Sequence, residues 1–565
     1  MVRKVLTWAI VSHTSLFDRL RRSFRLASYC DEHDLSAEEG IALRAEAEAK
    51  HASSPNRREF LTALGAIAAT GAIGGLSAAC AAPSEGEDGE RTSLGTNGQS
   101  LTHTGGLDVA IVGAGLAGLA CADQLRINGV TATVYEGNNR VGGRQLSQAG
   151  TFPGQVVELG GELIDTSQKN MINYARAFGL TLEDYLKSPG AVFYNIDGQA
   201  VPEATVVDAY RAFVPSMRPD LQQLSAAPTA DAHNAFDVVI DNTSIAQYLD
   251  SRNAPALLKS VIAAAYVGEY GREVTDQSAL NFLLYIRADR RSRFQPFGTS
   301  DQRFHIVEGN DRIAKGLAAR LSGLIQLGMA LSRARKTASG QIELTFRNGQ
   351  VRTHDLVVFA MPFSVLRQIN LDASLALPAW KTKAINELGY GTNSKNMVGF
   401  DARIWADQGS NGMAYATLPN VQNCWETSWT TATASHSVMT NFTGGALGMS
   451  QDPSQVQAQT AAFVRDLDKI YPGSAATATR EAGSRNYRAV MMSWPRNQWA
   501  QASYTCYRPG QFTGIAGNEG KPVGNVYFAG EHCDSFYNQQ GFMEGALSSG
   551  LITSAAILAA ARKAA

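Results

Sequence analysis

The most constraining feature is a glycine-spaced turn set between a short apolar run and a helical pattern. Val109-Ala110-Ile111-Val112 leads directly into Gly113-Ala114-Gly115-Leu116-Ala117-Gly118. Four consecutive apolar residues are the mark of a strand buried on both faces of a parallel sheet. Leu119, Ala122 and Leu125 then recur at helix spacing, and Asn128-Gly129 ends the pattern. A second strand over Thr131–Tyr135 finishes on Glu136. This strand–turn–helix–strand–acid order is the dinucleotide fingerprint. Gly113 permits the tight turn, Gly115 lets backbone approach a pyrophosphate, and Gly118 lets helix and strand pack closely. The helix N-terminus offers free N–H groups and a positive dipole end to phosphate. Glu136 is placed to accept from the adenosine ribose.

The next segment separates one dinucleotide from another. Asn138-Asn139-Arg140-Val141-Gly142-Gly143-Arg144 follows Glu136, with Gly143 available for a second close approach and Arg140 and Arg144 supplying charge near phosphates or flavin. The stretch resembles the flavin-containing amine oxidoreductases, which include monoamine, polyamine and L-amino-acid oxidases. The resemblance continues to the C-terminus. It runs through Val157-Glu158-Leu159-Gly160-Gly161-Glu162, through Val307-Glu308-Gly309-Asn310 and its following helix, and through Met361-Pro362. It closes with Val526-Tyr527-Phe528-Ala529-Gly530-Glu531 and Gly541-Phe542-Met543-Glu544-Gly545-Ala546. It implies an α/β fold, with a Rossmann-like FAD-binding domain and a discontinuous α+β substrate domain. The FAD-binding domain is expected over 106–170, 302–370 and 500–565. The substrate domain is expected over 171–301 and 371–499, with a helical first insert (Leu180, Leu182, Tyr185, Val206, Tyr210, Phe213) and a sheet-forming second one.

The same resemblance assigns site residues. Gly160, Gly161 and Glu162 run under the flavin, and Leu331 lies near the adenine. Glu531 contacts the dinucleotide backbone, and Met543 offers main chain to the isoalloxazine edge. Lys395 matches the family lysine that holds a water against flavin N5; a cation there would stabilise developing reduced oxygen. Tyr504 and Phe542 match two aromatic walls that orient an amine. Ser503 stands where mitochondrial monoamine oxidases carry a flavin-linked cysteine, so non-covalent FAD is expected. Leu163 stands where venom-type L-amino-acid oxidases place a carboxylate-binding arginine, which leaves the substrate open between primary amines and L-amino acids. Glu162 is a candidate for a substrate ammonium or a ribityl hydroxyl. Glu269, His532, Asp534, Tyr537 and Gln539 read as structural. The implied reaction oxidises a C–N bond to an imine, with O2 reduced to H2O2 and ammonia released. The competing readings are an FAD-dependent C–C desaturase or dehydrogenase and a non-catalytic FAD-binding accessory protein.

Composition excludes other classes. With 50 Lys+Arg against 51 Asp+Glu, nothing suggests a nucleic-acid partner. Six cysteines without a CxxC pair give neither a disulfide scaffold nor a zinc site, and no metal is expected.

The N-terminal region reads as address, not fold. Asn56-Arg57-Arg58-Glu59-Phe60-Leu61 resembles a twin-arginine export signal, followed by a mildly apolar Ala/Gly run to about Pro83. Residues 1–83 are therefore expected to be a leader, although the arginine pair sits unusually deep in it. Ser77-Ala78-Ala79-Cys80 loosely resembles a lipoprotein box, making Cys80 a candidate lipidation site. Asp31–Lys50 is compatible with a short helix. Residues 84–106 form a polar linker, and the fold is expected to begin near Leu107. The expected partners are the small-molecule amine or amino acid, molecular oxygen and the twin-arginine machinery, with a homodimer left open. The destination is periplasmic or secreted.

Overall fold

The computed structural model describes residues 26–27, 29–31, 34–53, 106–184, 190–287, 302–427 and 436–564. The twin-arginine stretch, Cys80, the linker up to residue 105 and Tyr185 lie outside the described residues.

Five parallel strands form the cofactor sheet, in the order Val526–Phe528, Leu356–Phe359, Val109–Val112, Ala132–Tyr135, Ile325–Gln326. Val109–Val112 is central, with Val109 opposite Leu356 on one side and Ala132 on the other. All four of its residues are buried, as expected for a strand covered on both faces. The helix Leu116–Ile127 packs against the final helix Met543–Ala564. Leu331–Lys336, Ile342–Phe346 and Val351–His354 make an antiparallel layer, and Asn370–Leu371 joins it in parallel. Ile325–Gln326 ends the cofactor sheet, and Leu331–Lys336 starts the separate antiparallel layer.

The substrate domain is built on a seven-stranded sheet. Its order is Ala489–Ser493, Ser394–Phe400, Ser437–Thr443, Val421–Glu426, Ser410–Leu418, Ala191–Ile196, Gln199–Val201. The first insert is therefore not all helical. It donates the last two strands, and Leu182–Asp184 pairs antiparallel with Phe304–Ile306. The helical expectation holds over Glu203–Gln223, where Val206, Tyr210 and Phe213 are buried together. That helix packs on Ala256–Tyr270, which lies against the sheet.

A second difference concerns the N-terminus. Helix Ala37–Ser53 is present, and Leu26, Ala27, Cys30 and Ala37 pack into the cluster of Glu203–Gln223 instead of lying wholly ahead of the fold.

Candidate active site

A long cleft runs from Glu136 and Leu331 at one end to Lys395, Trp425 and Phe442 at the other. The fingerprint glycines show two different constraints. At Gly113 (φ +116°) a Cβ would lie 2.5 Å from the Ala360 carbonyl oxygen, and at Gly118 it would run into the Gly113 carbonyl. A Cβ on Gly115 meets no protein atom within 4 Å, and Gly115 lines the cleft. Protein packing therefore explains two of the glycines, and the third is left free for something that fills the cleft. Gly142 donates its N–H to the Ala114 carbonyl at 2.8 Å, so the second glycine turn is zipped to the first. The Glu136 carboxylate accepts from Ala114 N at 2.7 Å and from Asn138 N at 2.8 Å.

Both arginines line the cleft and also hold its walls. Arg140 donates to the carbonyls of Val141 and Gly143, at 3.1 and 2.7 Å. Arg144 donates to Ser503 O at 2.6 Å and to Oε1 of Glu531 at 2.8 Å. Thr505 Oγ1 donates to the other oxygen of Glu531. Gly161 has no room for a side chain because Met543 Sδ would lie 2.7 Å from its Cβ. Gly160 likewise abuts the Arg144 carbonyl. The pair thus brings the segment 158–162 against residues 144–146 and the start of the final helix.

At the far end Lys395 sits on an interior strand, not at a sheet edge. Its Nζ donates to Glu158 O at 2.9 Å, Gly160 O at 3.0 Å and Oε2 of Glu162 at 2.6 Å. An ammonium has three N–H donors, so all three are engaged. Oε1 of Glu162 accepts from Trp425 Nε1 at 3.1 Å and from Thr427 Oγ1 at 3.3 Å. Glu162 is thus the counter-ion of Lys395, and it also lines the cleft. Trp425 packs against Phe442 at 5.2 Å between ring centroids, and both line the cleft beside Tyr504 and Phe542. Tyr504 donates its hydroxyl to the Glu269 carbonyl at 2.5 Å, and burial pushes its pKa well up. Glu269 thus meets the wall tyrosine through its main chain.

A buried relay lies beneath the segment 158–162. Oε1 of Glu158 accepts from Asn310 N and faces His305 Nε2, while Ser147 donates to its other oxygen. Asn310 Nδ2 donates to the carbonyls of Gly161 and Glu162. The loop before the final helix is partly buried and pinned. Tyr537 donates to Pro228 O at 2.7 Å, and Asn538 holds Asp534, whose pKa burial raises to about 6.

The sequence reading missed Trp425, Phe442, Trp494 and Trp499. Trp494 donates to Leu159 O at 2.9 Å. Trp499 lies against Gly137, where a Cβ would come 2.5 Å from its ring. The stretch from Trp494 to Tyr504 therefore lines the cleft from beside Glu136 to the aromatic wall. Of these, only Trp499 beside a glycine that follows the ribose acid carried a signal, and that signal is visible only in three dimensions.

The residues fit a flavin dinucleotide. Gly115 presents an open backbone at a helix N-terminus, a carboxylate lies at one end, and the N-terminal turn of a long helix with an aromatic enclosure lies at the other. This combination defines a dinucleotide-binding flavoprotein with a substrate domain closing one end of the cleft. The family model for flavin-containing amine oxidoreductases matches residues 116–558, and the chain belongs to that family. It is 26% identical over 520 residues to a pseudooxynicotine dehydrogenase of a Pseudomonas species, covering 88% of this chain and 94% of that one. It is 27% identical over 507 residues to a flavin-dependent L-tryptophan oxidase of Lentzea aerocolonigenes, covering 80% and 97%. The fold matches cyclohexylamine oxidase from Brevibacterium oxydans with a TM-score of 0.68 at 20% identity, over 80% of this chain and 99% of that one.

Proposed function

We propose that this chain is an FAD-dependent oxidase acting on the C–N bond of an amine. The observation favouring an amine over an amino acid is the state of the cations at the substrate end. Arg140 and Arg347 line the cleft toward Glu136 and Leu331; at the substrate end Lys395 is neutralised by Glu162 and Arg144 by Glu531, and Leu163 stands at the carboxylate-clamp position. A substrate carboxylate would have to displace one of these pairs. An uncharged amine flanked by Tyr504, Phe542, Trp425 and Phe442 has no such requirement. The names of the relatives keep an L-amino acid as the second reading, since one of them acts on L-tryptophan.

In the reaction a neutral amine loses hydride equivalents from its α-carbon and a proton from nitrogen, giving an imine. Bound flavin supplies the two-electron acceptor and O2 the final oxidant, with H2O2 as product. Water then hydrolyses the imine and releases ammonia from a primary amine. This chain's side chains position the carbon, exclude water and keep one cation beside the reacting centre. FAD is held without a covalent bond: among the described cysteines none lines the cleft, and Cys506 is buried away from it. Export by the twin-arginine route belongs to the same proposal, because a cofactor-loaded protein crosses folded. Its support is the Arg57-Arg58 context.

Anaerobic mixing with a panel of amines and L-amino acids tests the assignment. Amines should bleach the flavin absorbance, and oxygen should restore it with one H2O2 per turnover. Bleaching by L-amino acids alone would favour the second reading. Bleaching by amines without H2O2 on aeration would make the enzyme a dehydrogenase with another acceptor. Replacing Arg57 and Arg58 by lysine should hold the protein in the cytoplasm.

A further inference from the structure

We propose that the described residues between Leu26 and Arg44 form a docking segment whose seat is the helix Glu203–Gln223, so that the folded substrate domain carries part of its own leader as a bound peptide. The segment has the features of a built structure. Ser36 and Glu39 make a reciprocal capping box: Ser36 N donates to Oε2 of Glu39 at 2.8 Å, and Glu39 N donates to Ser36 Oγ at 3.2 Å. This box starts the helix Ala37–Ser53. Gly40 faces Cys30 Sγ so closely that a Cβ would overlap it, and the helix therefore turns back directly onto residues 26–31. Leu26, Ala27, Cys30 and Ala37 are buried in the same apolar cluster as Val206, Val207 and Tyr210.

Ion pairs fix the register on the seat. Arg44 makes a two-pronged contact with Glu203, both bonds 2.8 Å. Arg218 reaches Asp31 at 2.5 Å, and Arg211 donates to the Leu35 carbonyl. Partly exposed pairs contribute little energy each and mainly set geometry; the apolar contact supplies the hold. A hairpin this short is marginal alone, so its order depends on the seat. The seat exists only where Glu203–Gln223 has packed on Ala256–Tyr270, the helix whose Glu269 carbonyl holds Tyr504. Docking therefore reports that the substrate domain has folded around the site. The Asn56–Leu61 stretch follows shortly after Ser53. Under the export reading, on which this consequence alone rests, the signal follows in sequence a segment already seated on a finished domain.

Hydrogen–deuterium exchange on the full-length FAD-loaded chain tests the docking. Amides of 37–45 should exchange at least tenfold slower than in a synthetic 26–53 peptide. Leu26→Asp should abolish that protection while flavin absorbance and Tm of the main transition stay unchanged. Glu203→Arg should reduce it at least threefold, and adding Arg44→Glu should restore it. Tyr210→Asp, which unseats the helix, should remove it as well. Peptide-like exchange in the wild type would overturn the proposal. So would protection that survives Leu26→Asp or Tyr210→Asp, or that Glu203→Arg leaves undiminished. Lysine replacement of Arg57 and Arg58 should alter location but not protection, which separates failure of the export reading from failure of the docking.

Discussion

Lys395 and Glu162 face each other at 2.6 Å, with both side chains only 6% exposed. Their pairing places a cation at the substrate end of the cleft without a net local charge. It also makes each residue the condition for burying the other, since an unpaired buried ion is costly.

Lys395→Met should therefore have two separable effects. Removal of the cation should slow reoxidation by oxygen by at least about tenfold and flavin reduction much less, as a positioned charge acts where negative charge develops. It should also lower stability by about 3 kcal/mol, because Glu162 is left without its partner. Adding Glu162→Gln should recover most of the stability and none of the reoxidation rate. Stopped-flow half-reactions and denaturant unfolding measure the two effects, and equal slowing of both half-reactions would contradict the role assigned to the lysine.

The fingerprint glycines give a test of the cofactor cradle that does not depend on turnover. Gly115→Ala places a methyl group where no protein atom lies within 4 Å. The apoprotein should fold with unchanged Tm, while FAD affinity falls at least about tenfold, the equivalent of roughly 1.4 kcal/mol. Gly118→Ala drives a methyl group into the Gly113 carbonyl and should impair folding itself. Titration of apoprotein with FAD, alongside thermal melts, distinguishes the two outcomes.

His305 makes stability fall in mild alkali. Its Nδ1 lies 2.8 Å from Oε1 of Glu183 and its Nε2 3.1 Å from Oε1 of Glu158. Burial alone would depress its pKa, but the two carboxylates outweigh it and hold it up at about 9, against an ordinary 6.5. A folded pKa above the unfolded one gives stability that is complete below the unfolded pKa and is lost as pH rises through the folded one. Over pH 6.5 to about 9 the loss should be on the order of 2 kcal/mol. Thermal melts across that window should slope downward for the wild type and run flatter for His305→Gln.

Acid precipitation should release the whole flavin into the supernatant, as expected where no described cysteine lines the cleft. Tyr504→Phe should keep the aromatic wall but lose the hydroxyl bond to the Glu269 carbonyl. The expected cost is about 1 kcal/mol of stability, with a modest change in KM.

The parts of the fold legible in the sequence are those fixed by local rules. The turn Gly113–Gly118, its flanking strands and the acid Glu136 form one short unit, so their spacing carries the geometry. Lys395 and Tyr504 were legible only through a resemblance of surrounding residues. Trp425 and Phe442 were not legible at all. They meet because the strands Val421–Glu426 and Ser437–Thr443 pair antiparallel, and these strands are buried on nearly every residue, which erases alternation. The strand Ala191–Ile196 eluded reading for a related reason, since its parallel partner Ser410–Leu418 lies more than two hundred residues away. The pairing of Glu162 with Lys395 was not legible, because a carboxylate near a ligand cleft looks like a ligand group until its counter-ion is located.

The stretch from Trp494 to Tyr504 touches both ends of the cleft. Its tryptophan beside Gly137 bears on coenzyme retention, and its tyrosine on what the catalytic end admits. Exchanging this stretch with that of a relative would alter both traits together, so specificity engineering here is best begun on a separate element, at Phe442 or Trp425.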